Sequence, residues 1–361
     1  MTVEATGPTR ATGPTGEPGT TPLAAPGAAT PDLAISTRGL TRRYGTVLAL
    51  DRLDLDVPAG SVFGLLGPNG AGKTTAIRIL TGLARPTSGS ATVAGTPIGA
   101  PNGSLQRRIG YLDQDPRFYG WMRGRELLEF AGRLHGLEGG ELRTRVGEVL
   151  EIVGIGDAAK RRIGGYSGGM RQRLGIGQAM IGRPEVLFLD EPVSSVDPEG
   201  RRDILEIVSR LGTATTVFIS THILADVERV CDRVAILDYG RLVIEAPIHE
   251  LLETYARPIY TIEPEPGQPD ALERLTAAVR DQPWAREVRV EQGRVRVFVN
   301  DPGVAGPALL PLIAATGVTV VAFERARPSL EDVFLHLVAR DEPTSTPSGL
   351  DPDARRPGLI R

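Results

Sequence analysis

Residues 62–75 read VFGLLGPNGAGKTT, and this stretch decides the fold. The apolar run from Val62 to Leu66 predicts a short buried strand feeding into Gly67. From Gly67 to Thr74 the chain fits G-x-x-x-x-G-K-[ST]. An amphipathic helix is expected next, with Ala76, Ile79, Leu80 and Leu83 at i, i+3, i+4 and i+7. Strand, glycine loop and helix stand in the order that a phosphate-cradling loop requires. Glycines let backbone N–H groups turn inward around an anion, and the helix N-terminus adds partial positive charge. The candidate nucleotide contacts are therefore Gly67, Pro68, Asn69, Gly70, Ala71, Gly72, Lys73, Thr74 and Thr75. Lys73 reaches the outer phosphates in this reading, and the Thr74 hydroxyl ligates Mg²⁺. The competing reading is an ordinary glycine-rich turn; the lysine, the threonine and both flanking elements weigh against it.

The chain has 361 residues, 41% hydrophobic and 24% charged, which predicts a soluble globular protein of two domains. A net charge of −3 gives no broad basic footprint for nucleic acid. Cys231 is the single cysteine, so no internal disulfide is expected and the composition suits a reducing cytoplasm. No apolar run approaches the length of a membrane span. Residues 1–31, mostly Thr, Gly, Pro and Ala, cannot bury enough surface to order themselves and lack the apolar core of a signal peptide. They are expected to be disordered, as are residues 341–361.

Further along, Leu53, Leu55 and Val57 alternate with acids as in a half-buried strand. Tyr44, just upstream, is either a packing residue or an aromatic that stacks on a nucleobase. A strand-like run from Ile109 to Leu112 ends near Gln114, whose carbonyl can bind Mg²⁺ or water. Residues 115–166 read as a helical insertion, with one stripe of Leu127, Phe130, Ala131 and Leu134 and another of Val146, Val149, Leu150 and Val153. Ser167, Gly168 and Gly169 open a further helix, either as a plain N-cap or as a second anion-binding terminus.

The run Val186 to Leu189 reads as a fully buried parallel strand that delivers Asp190 and Glu191 at its C-terminal end, where open α/β sheets bind ligands. Asp190 is a candidate Mg²⁺ ligand and Glu191 a candidate base for the attacking water. A further apolar strand, Val217 to Ser220, closes on Thr221 and His222, the latter placed to hold the γ-phosphate and the water. Val234 to Leu237 and Leu242 to Ile244 form a hairpin about Asp238-Tyr239-Gly240.

Taken in order, these motifs resemble the ATP-binding subunit of an ABC transporter across roughly residues 33–255. The pieces are the loop GPNGAGKTT, Gln114, the signature YSGGM, the acidic strand VLFLDEP, the loop Ser194-Ser195-Val196-Asp197, and Ser220-Thr221-His222. Tyr44 falls where that family places its base-stacking aromatic. The resemblance implies an α/β fold of ABC type: a mainly parallel core sheet, an antiparallel β subdomain and a helical insertion. It implies ATP and Mg²⁺ as ligands, with Thr74, Gln114 and Asp190 around the metal and Glu191, His222 and Gln114 as the catalytic set. In the family two cassettes pair head to tail, so Ser167, Gly168 and Gly169 would contact the γ-phosphate of the partner's nucleotide, and the resemblance makes Asp197 a further nucleotide contact. One copy of each motif calls for a second cassette, most simply a second copy of this chain. Gln114 and the insertion would face a separate transmembrane permease, placing the chain peripherally on the cytoplasmic face of the membrane. Met170, Tyr166, Asp113 and Val196 stand where many members carry Gln, Leu, Pro and Leu; none of these changes removes a phosphate-contacting or catalytic group.

The ATP-binding domain is thus expected over residues 32–257, and a small α+β accessory domain over residues 258–340. In the latter, Ile259 to Ile262, a helix with Leu272, Leu275 and Val279, a hairpin with Val288, Val290, Val295, Val297 and Val299, a helix near Leu309 to Ala315 and a strand from Val318 to Phe323 follow one another. That βαββαβ order predicts a ferredoxin-like unit. A capped helix is expected from Ser329, carrying Leu330, Val333, Phe334, Leu337 and Val338 on one face. Its PSLEDVF ending resembles ATPase subunits of ABC-2-type, drug-resistance-like exporters. The expected function is therefore ATP hydrolysis that powers export of drugs, antibiotics or other hydrophobic compounds. The alternative, a soluble ABC ATPase acting on nucleic acid or ribosomes, is disfavoured by the single cassette, the short insertion and the absence of a cysteine cluster.

Overall fold

A computed structural model describes residues 32–333 except 195, 256, 257, 292, 327 and 328. The stretches 1–31 and 341–361, Ser195, and the helix positions Phe334, Leu337 and Val338 lie outside the described residues.

Strands β1 (Leu33–Tyr44) and β2 (Val47–Pro58) form an antiparallel hairpin. Strand β3 (Val62–Leu66) then runs into the glycine loop and helix α1 (Lys73–Leu80). The chain returns through β4 (Ser88–Val93) and β5 (Thr96–Pro97), completing a four-stranded antiparallel sheet of order β2-β1-β4-β5. Helix α1 stops earlier than its periodicity suggested. The Thr81 hydroxyl donates to the Ile77 carbonyl at 2.8 Å and Gly82 turns to φ 77°, so Leu83 is left 64% exposed. The buried face consists of Ala76, Ile77, Ile79 and Leu80.

Next come β6 (Ile109–Leu112), α2 (Gly124–Leu134), α3 (Gly139–Ile152) and α4 (Gly168–Met180). Then β7 (Val186–Asp190), α5 (Pro198–Leu211), β8 (Thr216–Thr221), α6 (Leu224–Val230), β9 (Arg233–Asp238), β10 (Arg241–Pro247) and α7 (Ile248–Tyr255) complete this part. The strands form a six-stranded sheet, β10-β9-β3-β8-β7-β6, in which only the β10–β9 pairing is antiparallel. Strands β3, β7 and β8 are buried along their whole length, which is why they read as unbroken apolar runs rather than alternating ones. Their alternate residues feed two cores. Phe63, Phe188 and Phe218 face the antiparallel sheet, with ring centroids 5.5 and 5.4 Å apart for the two adjacent pairs. Leu187, Leu189, Val217 and Ile219 face helices α2 to α5 on the other side.

The expected stripe on α2 is out of phase with its packing. Leu127, Leu128 and Ala131 are buried, whereas Phe130 is 48% and Leu134 73% exposed. The inward face is set by Gly132, which lets Leu142 of α3 approach closely. Tyr166 is buried, and its hydroxyl donates to the Ala158 carbonyl at 2.7 Å, supporting the turn before α4.

The remaining elements are β11 (Ile259–Pro264), α8 (Pro269–Arg280), β12 (Ala285–Glu291), β13 (Arg294–Val299), α9 (Pro302–Thr316) and β14 (Val320–Ala326). They form an antiparallel sheet of order β12-β13-β11-β14. First and last strands are thus neighbours, the ferredoxin-like arrangement. Leu275, Val279, Val295, Val297 and Leu309 fill its core; Val290 is 48% exposed on the edge strand. Helix α9 starts seven residues before Leu309, at Pro302, where the Asp301 carboxylate accepts from Gly303 N at 2.7 Å. Beyond β14, Ser329 bonds the Asp332 carboxylate at 2.8 Å. Leu330 enters a cluster with Leu66, Val227, Val234, Ile236, Ile248 and Leu251, and its N–H donates to Glu228 at 3.1 Å.

Candidate nucleotide site

The site grows from the end of β3. Gly67 (φ 157°) and Gly72 (φ 104°) hold the loop in conformations that side chains resist. A Cβ on Gly67 would also strike the Leu237 carbonyl, and one on Gly72 the Ala49 carbonyl, so the loop is wedged between β9 and β2. Helix α1 then begins at Lys73 with no side-chain cap and no acid in its first turn. Its N-terminal amides and dipole are left for an anionic ligand. In front of them lies a cavity of about 490 Å³, lined by residues 69–75, Gln114 and Glu191, with Val47, Leu48, Ala49 and Tyr239 on the outer side. Gly67, Pro68 and His222 line a smaller cavity of about 290 Å³.

Lys73 is 5% exposed, and its Nζ lies 2.8 Å from the Gly67 carbonyl, 3.2 Å from that of Pro68 and 3.4 Å from Glu191 Oε1. The other Glu191 oxygen lies 3.3 Å from Gln114 Nε2 and 3.3 Å from His222 Nδ1. Glu191 itself sits at φ 44°, a conformation disfavoured for a side chain. It is held there by its N–H, which lies 3.1 Å from the Ser220 carbonyl and 3.0 Å from the Ser220 hydroxyl. Asp190 is fully buried. Its Oδ1 accepts from Ser220 at 2.5 Å and from Thr74 at 3.3 Å, while Oδ2 has no partner among the described residues. Burial pushes the Asp190 pKa above the usual aspartate value, against the bonds from Ser220 and Thr74. A buried carboxylate oxygen with a free lone pair beside a threonine hydroxyl is a donor set that fits a hard divalent cation such as Mg²⁺.

The structure therefore gathers the glycine loop, Lys73, Thr74, Gln114, Asp190, Glu191 and His222. It does not bring Ser167, Gly168, Gly169 or Asp197 to the cavity wall. Ser167 caps α4, accepting from Met170 N at 3.2 Å, and Asp197 caps α5, accepting from Gly200 N at 3.0 Å. These helix ends adjoin: a Cβ on Gly169 would lie 3.2 Å from Val196. Tyr44 is 43% exposed and does not line the cavity; the Arg42 guanidinium lies 4.3 Å from its ring centroid. Sequence reasoning gave no role at the site to Ser220, Gln172, Val47 or Tyr239. Ser220 had a signal, a hydroxyl ending an apolar strand beside His222. Gln172, 4% exposed and bonded through Nε2 to the Gln114 carbonyl at 3.0 Å, had none, since its partner is remote in sequence.

Comparison with known proteins gives the family. The ABC transporter family profile matches residues 50–194, and the profile of the C-terminal domain of DrrA1-3-like ATP-binding proteins matches residues 247–338. The chain is 39% identical to the uncharacterized ABC transporter ATP-binding protein YxlF of Bacillus subtilis, over 84% of this chain and 99% of that one. It is 38% identical to the daunorubicin resistance ATP-binding protein DrrA3 of Streptomyces coeruleorubidus, over 86% and 97%. Among solved structures, cbiO1 of Clostridium perfringens, part of the ABC transporter complex cbiONQ, superposes with TM-score 0.58 at 27% identity, over 62% of this chain and 92% of that one. The protein belongs to the ABC transporter ATP-binding family and is an ATPase of that type. Among the described residues no helix is long and apolar enough to cross a membrane.

Proposed function

We propose that this chain is the Mg²⁺-dependent ATPase subunit of an exporter of drug-like or antibiotic compounds, working as a homodimer beneath a separate transmembrane permease. The observation that carries the reading is the convergence of Lys73, Gln114 and His222 on Glu191 beside the glycine loop, while the signature residues of the same chain line neither cavity. Lys73 and the α1 amides bind and orient the phosphates. Glu191, held by Gln114 and His222, takes a proton from the attacking water. Thr74, Asp190 and Gln114 would hold Mg²⁺, which neutralises phosphate charge when bound. Ser167, Gly168, Gly169 and Asp197 of one copy would complete the site of the other, and Tyr44 would stack on the base.

Export is supported by likeness to a daunorubicin resistance protein along nearly the whole described length. A permease contact is supported by Tyr119 and Trp121, 64% and 70% exposed, which follow Gln114 with ring centroids 5.9 Å apart. Solvated aromatics in such a cluster mark interaction surfaces. Peripheral placement on the cytoplasmic face follows from that partnership. We further divide the chain into an ATP-binding domain over residues 32–257 and an accessory domain over residues 258–340.

The test is Glu191→Gln. Phosphate release is expected to fall by ~10²–10⁴, and ATP should then hold the variant as a dimer in size-exclusion chromatography. Turnover near the wild-type rate would remove Glu191 from the mechanism, and a monomer at saturating ATP would remove the shared site.

A further inference from the structure

We infer that Gln172 is a positioning residue linking the signature helix of each chain to the hydrolytic carboxylate of the same chain. The inference rests on the roles given above to Gln114 and Glu191.

Helix α4 lies along β6 in a fixed register. A Cβ on Gly110 would run into the Ala179 carbonyl, and a Cβ on Gly175 would lie 2.5 Å from Leu112 Cδ1. Gln172 Nε2 donates to the Gln114 carbonyl at 3.0 Å. Positions 110 and 112 share one side of β6, and 172, 175 and 179 share one side of a helix. The contacts pair them in reverse order, as rungs between antiparallel rails. Two rungs are steric and belong to the core. The third is a hydrogen bond to backbone that has already left the sheet, since β6 ends at Leu112.

Gln172 is an uneconomical residue for mere packing. It is 4% exposed, and its Oε1 has no partner among the described residues. Burying an amide with its oxygen unpaired is unfavourable, whereas methionine of similar volume would carry no such penalty. The carbonyl acceptor fixes which end of the amide faces Gln114. Among the described residues Gln172 is the sole donor to that carbonyl, and the Gln114 side chain reaches on to Glu191 at 3.3 Å. Ser167 caps the same helix less than two turns upstream. A displacement of α4 when residues 167–169 engage the second copy's nucleotide is therefore carried to Gln114 and then to Glu191. Each chain senses at its own carboxylate whether its signature is engaged.

The experiment uses the full chain with the substitution Gln172→Met, which keeps the volume and removes the donor. Loss of one net hydrogen bond predicts a kcat for ATP hydrolysis about five- to tenfold lower, with KM unchanged and the thermal midpoint unchanged or raised. Combined with Gln114→Ala it should slow turnover no further than Gln114→Ala alone, because both act through one contact. In the Glu191→Gln background ATP-dependent dimerisation should persist. Should Gln172→Met fold poorly, Gln172→Asn, which withdraws the donor by one methylene, serves for the same readings. Wild-type kcat in a folded Gln172 variant, multiplying losses in the double variant, or loss of dimerisation would each overturn the inference while leaving the roles of Gln114 and Glu191 intact. Wild-type turnover in Gln114→Ala would sink the Gln114 assignment together with the inference.

Discussion

The six-stranded, mainly parallel sheet and the ferredoxin-like sheet use strands of similar length to opposite ends. In the first, β3, β7 and β8 are covered on both faces, so polar groups are expelled to the strand ends. Asp190, Glu191, Ser220 and His222 are gathered there, and Asp190 and Tyr111 keep buried oxygens with no protein partner among the described residues. In the second, α8 and α9 cover one face, and β12 and β14 leave most of their residues at least partly exposed. There polar groups pair locally, as when Arg289 Nε lies 2.6 Å from Glu287 and Arg296 Nη1 3.5 Å from Glu291. A sheet buried on both sides concentrates unsatisfied chemistry at one edge, whereas a half-open sheet disperses it. The first carries the candidate site, and no candidate site residue lies in the second.

The sharpest way to break this contrast is at the phosphate loop. Lys73→Ala is expected to lower ATP hydrolysis by ~10²–10³, the usual loss when a charge-stabilising donor is removed, with the thermal midpoint retained. A steady-state phosphate assay at saturating ATP checks it. The mirror experiment is Leu309→Ala, at a fully buried position of the second core. It should cost about 2–5 kcal/mol of stability in that part, seen as an earlier chemical unfolding transition. ATP turnover below that transition should stay within about twofold of wild type, the behaviour of distant, uncoupled sites. Large losses of turnover would mean that the second sheet is coupled to the site.

A smaller effect separates binding from folding at Asp190. Burial raises its folded pKa above the unfolded value, so its charge opposes folding near neutrality. Asp190→Asn should therefore raise the nucleotide-free thermal midpoint at pH 7 by roughly 2–4 °C while abolishing Mg²⁺-dependent hydrolysis. As the pH falls from the raised folded value toward ~3.9, the wild-type carboxyl takes up its proton and the difference should close. A midpoint lower than wild type at pH 7 would show that the charge stabilises the fold.

Legibility in the sequence followed the same division. Strands β3, β7 and β8 were readable because burial on both faces leaves an unbroken apolar run, and the residues at their ends were readable because such strands end in chemistry. Helical phase was less so. Phe130 and Leu134 satisfy the period of α2 as well as Leu128 does, and only Gly132 against Leu142 selects the inward face. Helix α9 begins seven residues before the stretch that its sequence pattern marked; Asp301 and the first-turn position of Pro302 explain why the helix begins there. Gln172 and the placing of Tyr239 at the cavity wall depend on contacts between remote segments, which no local pattern records.

The seat of Leu330 among Leu66, Val227 and Ile236 limits how this protein can be recombined. A chimera joined near residue 257 would give the ATPase part a foreign tail segment and leave its apolar socket without the side chain shaped for it. Exchanging accessory domains between relatives therefore requires the socket residues, and Glu228 beside them, to travel with the domain they receive.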